Sequence, residues 1–447
     1  LLPIRHAQHL ISTSAFSALS SRLLGHASQA SAGLAFEAML MQIIRETGRT
    51  SALAAMILAL AMPPAPAAGV TDTEIRIGNI MPYTGPLTAF AAIGRAEAAY
   101  FNMVNERGGI NGRKITFITR DDSSNPVTAL EETKNLIEEQ NVLLMFGSFG
   151  TPGNLVTRKY LNEKNIPQLF VASGDEEWAH PKKFPWTMGW QPTFRSEGRI
   201  YANYIQASYA GSKIAVLWQN DQFGRDLFKG LQEGLGATAN NIVADIAIEA
   251  DMSVDTQVDI LKASGAEVLV LNCAPPISAR AIRRAAELDW HPVLLLVNAA
   301  ASIANALRPA GLENAIGVIS TSFLKDSGDT TWKEDPAIKA WLAFMDKYYP
   351  DGDKDDSYAI FGYAAAETLL QVLTQCEDDL SRENIMRQAA SLKNYQSPIA
   401  LPGITINTGP ADFRPIEQMR LVQFDGTAWQ AIGDVIESAF AASPGDN

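Results

Sequence analysis

VLLMFGSFGTPGNLVTRKYLNEKNIPQLFVASGDEE, residues 142–177, decides the fold class. Two short apolar runs, 142–146 and 167–172, each stop abruptly in small and hydroxyl residues, with an amphipathic stretch between them. That order spells strand, turn, helix, strand, turn. Thr151 stands where a helix needs an N-cap, and Pro152 follows at the first helical position, where a missing N–H costs nothing. In parallel α/β sheets, ligands bind beyond the carboxyl ends of the strands, where strand order reverses. Gly147-Ser148-Phe149-Gly150-Thr151 and Ser173-Gly174-Asp175 would gather backbone N–H groups, hydroxyls and one ring around such a point. A carboxylate at a helix N-terminus suits that setting. Loops of this composition also end strands that bind nothing, so the stretch alone leaves both readings open.

Outward from it, the alternation persists. Strands are expected at 74–81, 114–119, 213–219, 242–248, 267–271 and 293–297, and helices at 88–107, 126–140, 195–209, 223–235, 256–264 and 277–288. Repeated βα units imply parallel sheets with helices on both faces. The aromatic, Pro-rich FPWTMGWQP, 184–192, reads as a linker that is neither helix nor core strand. Beyond it, 316–324 leads into helices at 337–348, 358–375 and 382–390, then short strands at 403–406 and 419–424, ending near Trp429. This is too little for a third domain, so the late elements are expected to return to the earlier ones. The division is 72–190 with 322–417 as one doubly wound lobe and 191–321 with 418–447 as the other, with a ligand cleft between them.

The 447 residues agree with about two domains. A net charge of −13 argues against a nucleic-acid partner, which needs a basic face. Residues 39–67 read as a signal peptide: Arg45 and Arg49, an apolar run at 51–62, then Ala65-Pro66-Ala67. The run is too short to span a bilayer, which takes about 20 apolar residues. Residues 1–38 then lie upstream of a start at Met39 or Met41, the mature chain begins near Ala68, and a periplasmic location follows. Cys273 and Cys376 fall in distant elements, and nothing in their spacing demands a disulfide.

Catalytic patterns are scarce. After residue 67 the only histidines are His180 and His291, each followed by proline. HExxH, CxxC, Walker A and G-x-G-x-x-G motifs are absent, and Phe146 breaks a G-x-S-x-G elbow around Ser148. Asp121-Asp122 reads as a capping or turn pair before Ser-Ser-Asn-Pro rather than a metal pair. The DGDKDD run at 351–356 lacks the glycine and terminal glutamate of a calcium loop. No metal and no cofactor is expected. What remains suits recognition: the rings of Phe90, Phe149, Trp186, Trp190, Phe223 and Phe323, and Asn220, Asp221, Asn272, Cys273 and Asn298 at strand ends. Pockets for small ligands are apolar with a few placed polar groups. Some of these rings are expected to pack the core or the hinge instead.

Together these residues resemble a known family, the periplasmic solute-binding proteins of the leucine/isoleucine/valine type that feed ABC importers. The resemblance rests on Thr84-Gly85-Pro86 with Gly94, Asn105-x-x-Gly108-Gly109-Ile110-Asn111-Gly112, Asp121-Asp122 with Pro126, Phe223-Gly224 after a strand, and Gly362-Tyr363-Ala364-Ala365. It implies two α/β lobes joined by three crossovers that close on the ligand. It also implies a carboxylate-binding hydroxyl at Thr151 beside Phe149 and Gly150, a backbone-amide segment at Ala172-Ser173-Gly174, and Phe223 reaching across from the second lobe. Amino-acid binders of the family carry an acid after the strand 293–297 to hold the ligand's ammonium, whereas this chain has Asn298-Ala299-Ala300. A buried ammonium without a carboxylate partner costs several kcal/mol. Asp175, Glu176 and Asp221 remain as acidic substitutes. The 184–192 linker and the 146–154 loop are similar to a subgroup of aromatic-carboxylate binders, which implies a ring among Phe149, Trp190 and Phe223.

The leading expectation is therefore a monomeric binding module that takes a small organic anion, an aromatic acid or an amino acid, to an ABC-type permease. A ligand sensor of the same fold is a second class. A hydrolase using Ser148 or Ser173 is a third, opposed by the shortage of histidine.

Overall fold

A computed structural model describes residues 68–249 and 253–437; the segments read as upstream extension and signal peptide lie outside these residues. In the first lobe, β1 (Glu74–Met81), β2 (Lys114–Asp121), β3 (Leu144–Phe146), β4 (Gln168–Val171) and β5 (Thr187–Gly189) form an all-parallel sheet ordered β2-β1-β3-β4-β5. Helices α1 (Ala91–Glu106), α2 (Pro126–Glu138) and α3 (Thr151–Glu163) alternate with the strands. The second sheet comprises β6 (Ile214–Gln219), β7 (Ile242–Ile248), β8 (Val268–Asn272), β9 (Val293–Leu296), β10 (Ile319–Ser322), β11 (Gln418–Phe424) and β12 (Trp429–Glu437). Its order is β12-β11-β10-β9-β8-β6-β7, with α4 (Phe194–Ser208), α5 (Gln222–Leu235), α6 (Asp255–Ala263) and α7 (Pro275–Glu287) between its parallel strands. Both sheets therefore carry the doubly wound order 2-1-3-4-5, and each has a switch point at the strand next to its first.

Strand sequence explains burial. β8 (VLVLN) is buried at every position, as expected where helices cover both faces of a parallel sheet. Helix starts are written locally. Asn125 accepts from Val127 N at 2.8 Å ahead of Pro126, and Asp335 accepts from Ala337 N at 2.9 Å ahead of Pro336. After β10 the chain returns to the first lobe through α8 (Pro336–Tyr348), α9 (Ser357–Gln375) and α10 (Arg382–Ala389). Gly362 lets α9 lie directly on α1: a Cβ there would stand 2.3 Å from the Ile93 carbonyl oxygen. The chain thus passes between lobes after β5, after β10 and before β11.

Three expectations change. The 184–192 segment contains β5, a short, fully buried edge strand, because Gln168 N donates to Trp186 O at 2.7 Å and draws it into the sheet. Residues 403–406 form no strand; Ile406 makes only an isolated bridge to Tyr395. Beyond Phe424 the chain turns, with Asp425 accepting from Thr427 N and Ala428 N at 2.8 and 2.9 Å, and runs back as β12.

Candidate functional site

A cavity of about 330 Å³ lies between the lobes at the carboxyl ends of their strands. Phe90, Phe149, Gly150, Thr151, Ala172 and Ser173 line it from the first lobe, and Phe223, Cys273 and Asn298 from the second. On the first-lobe side, Gly150 rather than Thr151 is the N-cap of α3. At φ +87° only glycine turns the chain there without strain. Thr151 becomes the first helical residue, and its Oγ1 lies 2.7 Å from Ser173 Oγ. No side chain caps α3, and Gly150, Thr151 and Pro152 at its start line the cavity together with Ser173. Asn154 holds the loop, donating through Nδ2 to Ser148 O at 2.9 Å and Gly150 O at 2.7 Å. Two of the three expected amides are spent elsewhere: Ala172 N donates to Ser148 O and Ser173 N to Val171 O.

Rings supply much of the rest. Phe90 stacks on Phe149 at 4.2 Å between centroids and meets Tyr358 at 4.5 Å. Tyr358 donates from its hydroxyl to Ala299 O at 2.9 Å, linking the first-lobe helix α9 to the loop after β9. Opposite them, Phe223 packs edge-on against Phe194 at 4.8 Å.

Five expected residues stand away from the cavity: Trp186, half-buried, whose N donates to Asn162 Oδ1 at 3.0 Å, Asn220, exposed, whose Nδ2 donates to Glu249 Oε1 at 2.7 Å, and Trp190, Asn272 and Gly174. Trp190 is fully buried, donates from Nε1 to Thr368 Oγ1 at 3.1 Å and packs on Phe323 and Phe361, so it is core. Asn272 is the last residue of β8; strand alternation turns it away while Cys273 enters the wall, and its Nδ2 donates to Gly224 O at 2.7 Å. Gly174 seats a crossover, its carbonyl accepting from Phe194 N at 2.6 Å. Conversely, Gln191, Phe194, Thr321, Lys325, Trp332 and Tyr358 line the cavity without having been singled out. Gln191, inside the 184–192 linker, and Phe194, just beyond it, carried a local signal.

The acidic groups divide sharply. Asp221 is in the wall, but Oδ1 accepts from Gly224 N at 3.0 Å and Oδ2 from Gln219 Nε2 at 2.6 Å. Lys325 is balanced by Asp335 at 2.8 Å. Asp175 and Glu176 are buried outside the cavity. Asp175 Oδ1 accepts from Glu177 N at 2.9 Å, and burial pushes its carboxyl up to about 7. Asp226, on α5 of the other lobe, accepts from Glu176 N at 3.0 Å; burial, then the nearby Asp175 charge, pushes it up to about 8. Glu176 itself pairs with Arg414. Cys273 and Cys376 are both free and buried, and burial raises the Cys273 thiol well above its ordinary range.

The family model for periplasmic binding proteins matches residues 74–428. The chain belongs to that family. Its relatives include Leu/Ile/Val-binding protein homolog 1 of Brucella abortus (strain 2308), 25% identical over 313 residues and covering 68% of this binding protein and 79% of that one. An amino acid binding protein of Pseudomonas aeruginosa is 22% identical over 311 residues, 66% of this chain and 77% of its own. Among solved structures, a branched chain amino acid ABC transporter from Thermus thermophilus with bound valine superposes with a TM-score of 0.74 at 17% identity, covering 83% of this chain and 98% of that one. A fatty acid ABC transporter substrate-binding protein from Thermomonospora curvata gives 0.68 at 20%, covering 85% and 95%. The fold is that of the type I periplasmic binding proteins, and the family is one of substrate-binding proteins rather than enzymes.

Proposed function

We propose that this binding protein captures a small organic carboxylate, preferentially an aromatic acid, by closing its lobes, and hands it to an ABC-type permease from the periplasm as a monomer. The observation that carries the reading is the pairing of an uncapped helix N-terminus and the Thr151–Ser173 hydroxyls with an aromatic wall. A carboxylate fits the first, and a ring stacked on Phe149 or Phe223 gains about 0.5–1.5 kcal/mol beyond its buried area. Asn298 in the opposite wall gives an ammonium no counter-charge, the Asp221 carboxylate is already committed to Gly224 N and Gln219, and the other wall carboxylates, Asp326 and Asp329, accept from Gly328 N and Thr331 N. Among the solved relatives, one carries valine and another is a fatty acid ABC transporter substrate-binding protein, a range of ligands that supports reading this chain's ligand from its own cavity.

An amino-acid ligand is the second reading, favoured by the names of the relatives and by Asp221, the acidic substitute that does stand in the wall. A thermal-shift screen of residues 68–447 against benzoate, 4-hydroxycinnamate, leucine, valine and short amides separates the two. At roughly 100 times its dissociation constant, a ligand adds about 2.7 kcal/mol of stability. Aromatic acids are expected to respond; a response confined to leucine and valine overturns the preference and points to a wall carboxylate, Asp221, Asp326 or Asp329, as the ammonium's partner.

A further inference from the structure

Behind the second-lobe wall, out of the cavity itself, lies Glu197 on α4, 1% exposed. One oxygen, Oε1, accepts three hydrogen bonds: from Tyr201 Oη at 2.7 Å, from Asn298 N at 2.7 Å and from Thr321 Oγ1 at 2.9 Å. Asn298 and Thr321 are both wall residues, and Asn298 Nδ2 donates in turn to Thr321 O at 2.6 Å. Glu197 thus fixes the main chain after β9 and a side chain of β10 in one arrangement.

Its electrostatics are unusual. Among the described residues no lysine or arginine pairs with it; Arg195 and Arg199 of the same helix are taken by Glu233. Its partners are the Asn298 main chain after β9, Thr321 of β10 and, from its own helix, Tyr201, whose phenol is held neutral by burial and shares its one proton with Leu296 O at 2.6 Å; of the charged groups on α5, which packs along α4, Asp226 accepts from Glu176 N and Glu233 holds the two arginines. A buried carboxylate without a counter-charge is costly, and three donors offset part of that cost. Burial outweighs them, and the carboxyl is pushed up to about 7.

We propose that Glu197 sets the charge type of the ligand: it positions Asn298 and Thr321 in the cavity wall and takes up a proton when a carboxylate without an ammonium group enters the cleft. The inference rests on the carboxylate reading above. The proton comes from solvent, no bond other than O–H forms, and the neutralised Glu197 then stands behind the wall of the cleft that holds the anion. The sign follows from linkage. A ligand anion raises the Glu197 affinity for protons, so carboxylate binding is tightest below the free protein's titration and weakens as pH rises through it. A ligand whose ammonium faces this wall would do the reverse.

The experiment is calorimetric titration of the protein with 4-hydroxycinnamate and with leucine, in buffers of different ionisation heat, for wild type and Glu197→Gln. 4-Hydroxycinnamate is expected to bind with proton uptake and roughly fivefold more weakly at about pH 8.5 than at about pH 6. E197Q should bind it with no uptake and a flat profile. Wild-type binding without uptake, or wild-type pH dependence surviving in E197Q, overturns the proposal. Leucine bound with proton release would overturn the carboxylate reading while leaving Glu197 as the titrating group. If neither probe binds, carboxyl NMR of the free protein still decides. A resonance titrating near neutrality, absent in E197Q and moved upward in Thr321→Val, supports the proposal; a Glu197 carboxyl ionised throughout overturns it.

Discussion

Helices α3 and α7 occupy equivalent places in the two lobes, each following the strand beside the switch point and each starting at the cavity with no side-chain cap. Their first residues differ. Gly150-Thr151-Pro152-Gly153 offers a hydroxyl and two backbone N–H groups after the cap, whereas Ala274-Pro275-Pro276-Ile277 has prolines at both leading positions. Ser278, the nearest hydroxyl in α7, is spent on Cys273 O at 2.9 Å. The same topology therefore leaves backbone donors at the helix start in one lobe and removes them in the other. What the second lobe contributes is an apolar and amide wall backed by a buried acid, so the two sides of one cleft differ in chemistry.

That contrast can be broken most severely at Asn298. Asn298→Asp should weaken 4-hydroxycinnamate binding about 100-fold, since like charges set against each other in an interface cost several kcal/mol. Titration calorimetry reads this directly, and unchanged affinity would mean that the wall does not face the ligand. On the other side, Thr151→Ala removes one charge-assisted hydrogen bond and should weaken carboxylates about tenfold; retained affinity would take Thr151 out of the site.

A smaller effect is expected where the lobes meet outside the cavity, at Asp226 and the Glu176 amide. A carboxyl raised from 3.8 to about 8 favours the folded state below its unfolded value, and that contribution is lost as pH rises through about 8. The melting temperature should therefore fall between about pH 6 and about pH 8.5, and Asp226→Asn should flatten the fall and stabilise the alkaline protein by about 1 kcal/mol. A flat wild-type profile would show that the seam carboxyl stays ionised. Least affected should be the exposed network in which Arg280 joins Asp255 and Glu287 across α6 and α7. Arg280→Ala should cost no more than about 0.5–1 kcal/mol in urea unfolding, and a larger loss would mean that this face of the second lobe is held by charge rather than by packing.

The parts of the protein legible in its sequence are those set by neighbours along the chain. Apolar runs ending in Gly and Ser fixed the strands and their loops, and Asn125-Pro126 and Asp335-Pro336 marked helix starts. Thr151, Ser173 and Phe149 could be placed at the cleft because a strand's carboxyl end is a local address in a parallel sheet. What the chain order could not carry was decided by tertiary contact. Trp190 was read as a ligand ring and is core, because Thr368, Phe323 and Phe361 arrive from later segments to enclose it. Tyr358 opens an ordinary capped helix in sequence and becomes cavity wall only when α9 returns to lie on α1. Asn298 looked like a lost charge, and only the folded chain shows Glu197 set directly behind it, 101 positions away in sequence. Periodicity and capping report which surface a residue shares with its neighbours; burial and counter-charge depend on segments that meet only once the lobes have formed.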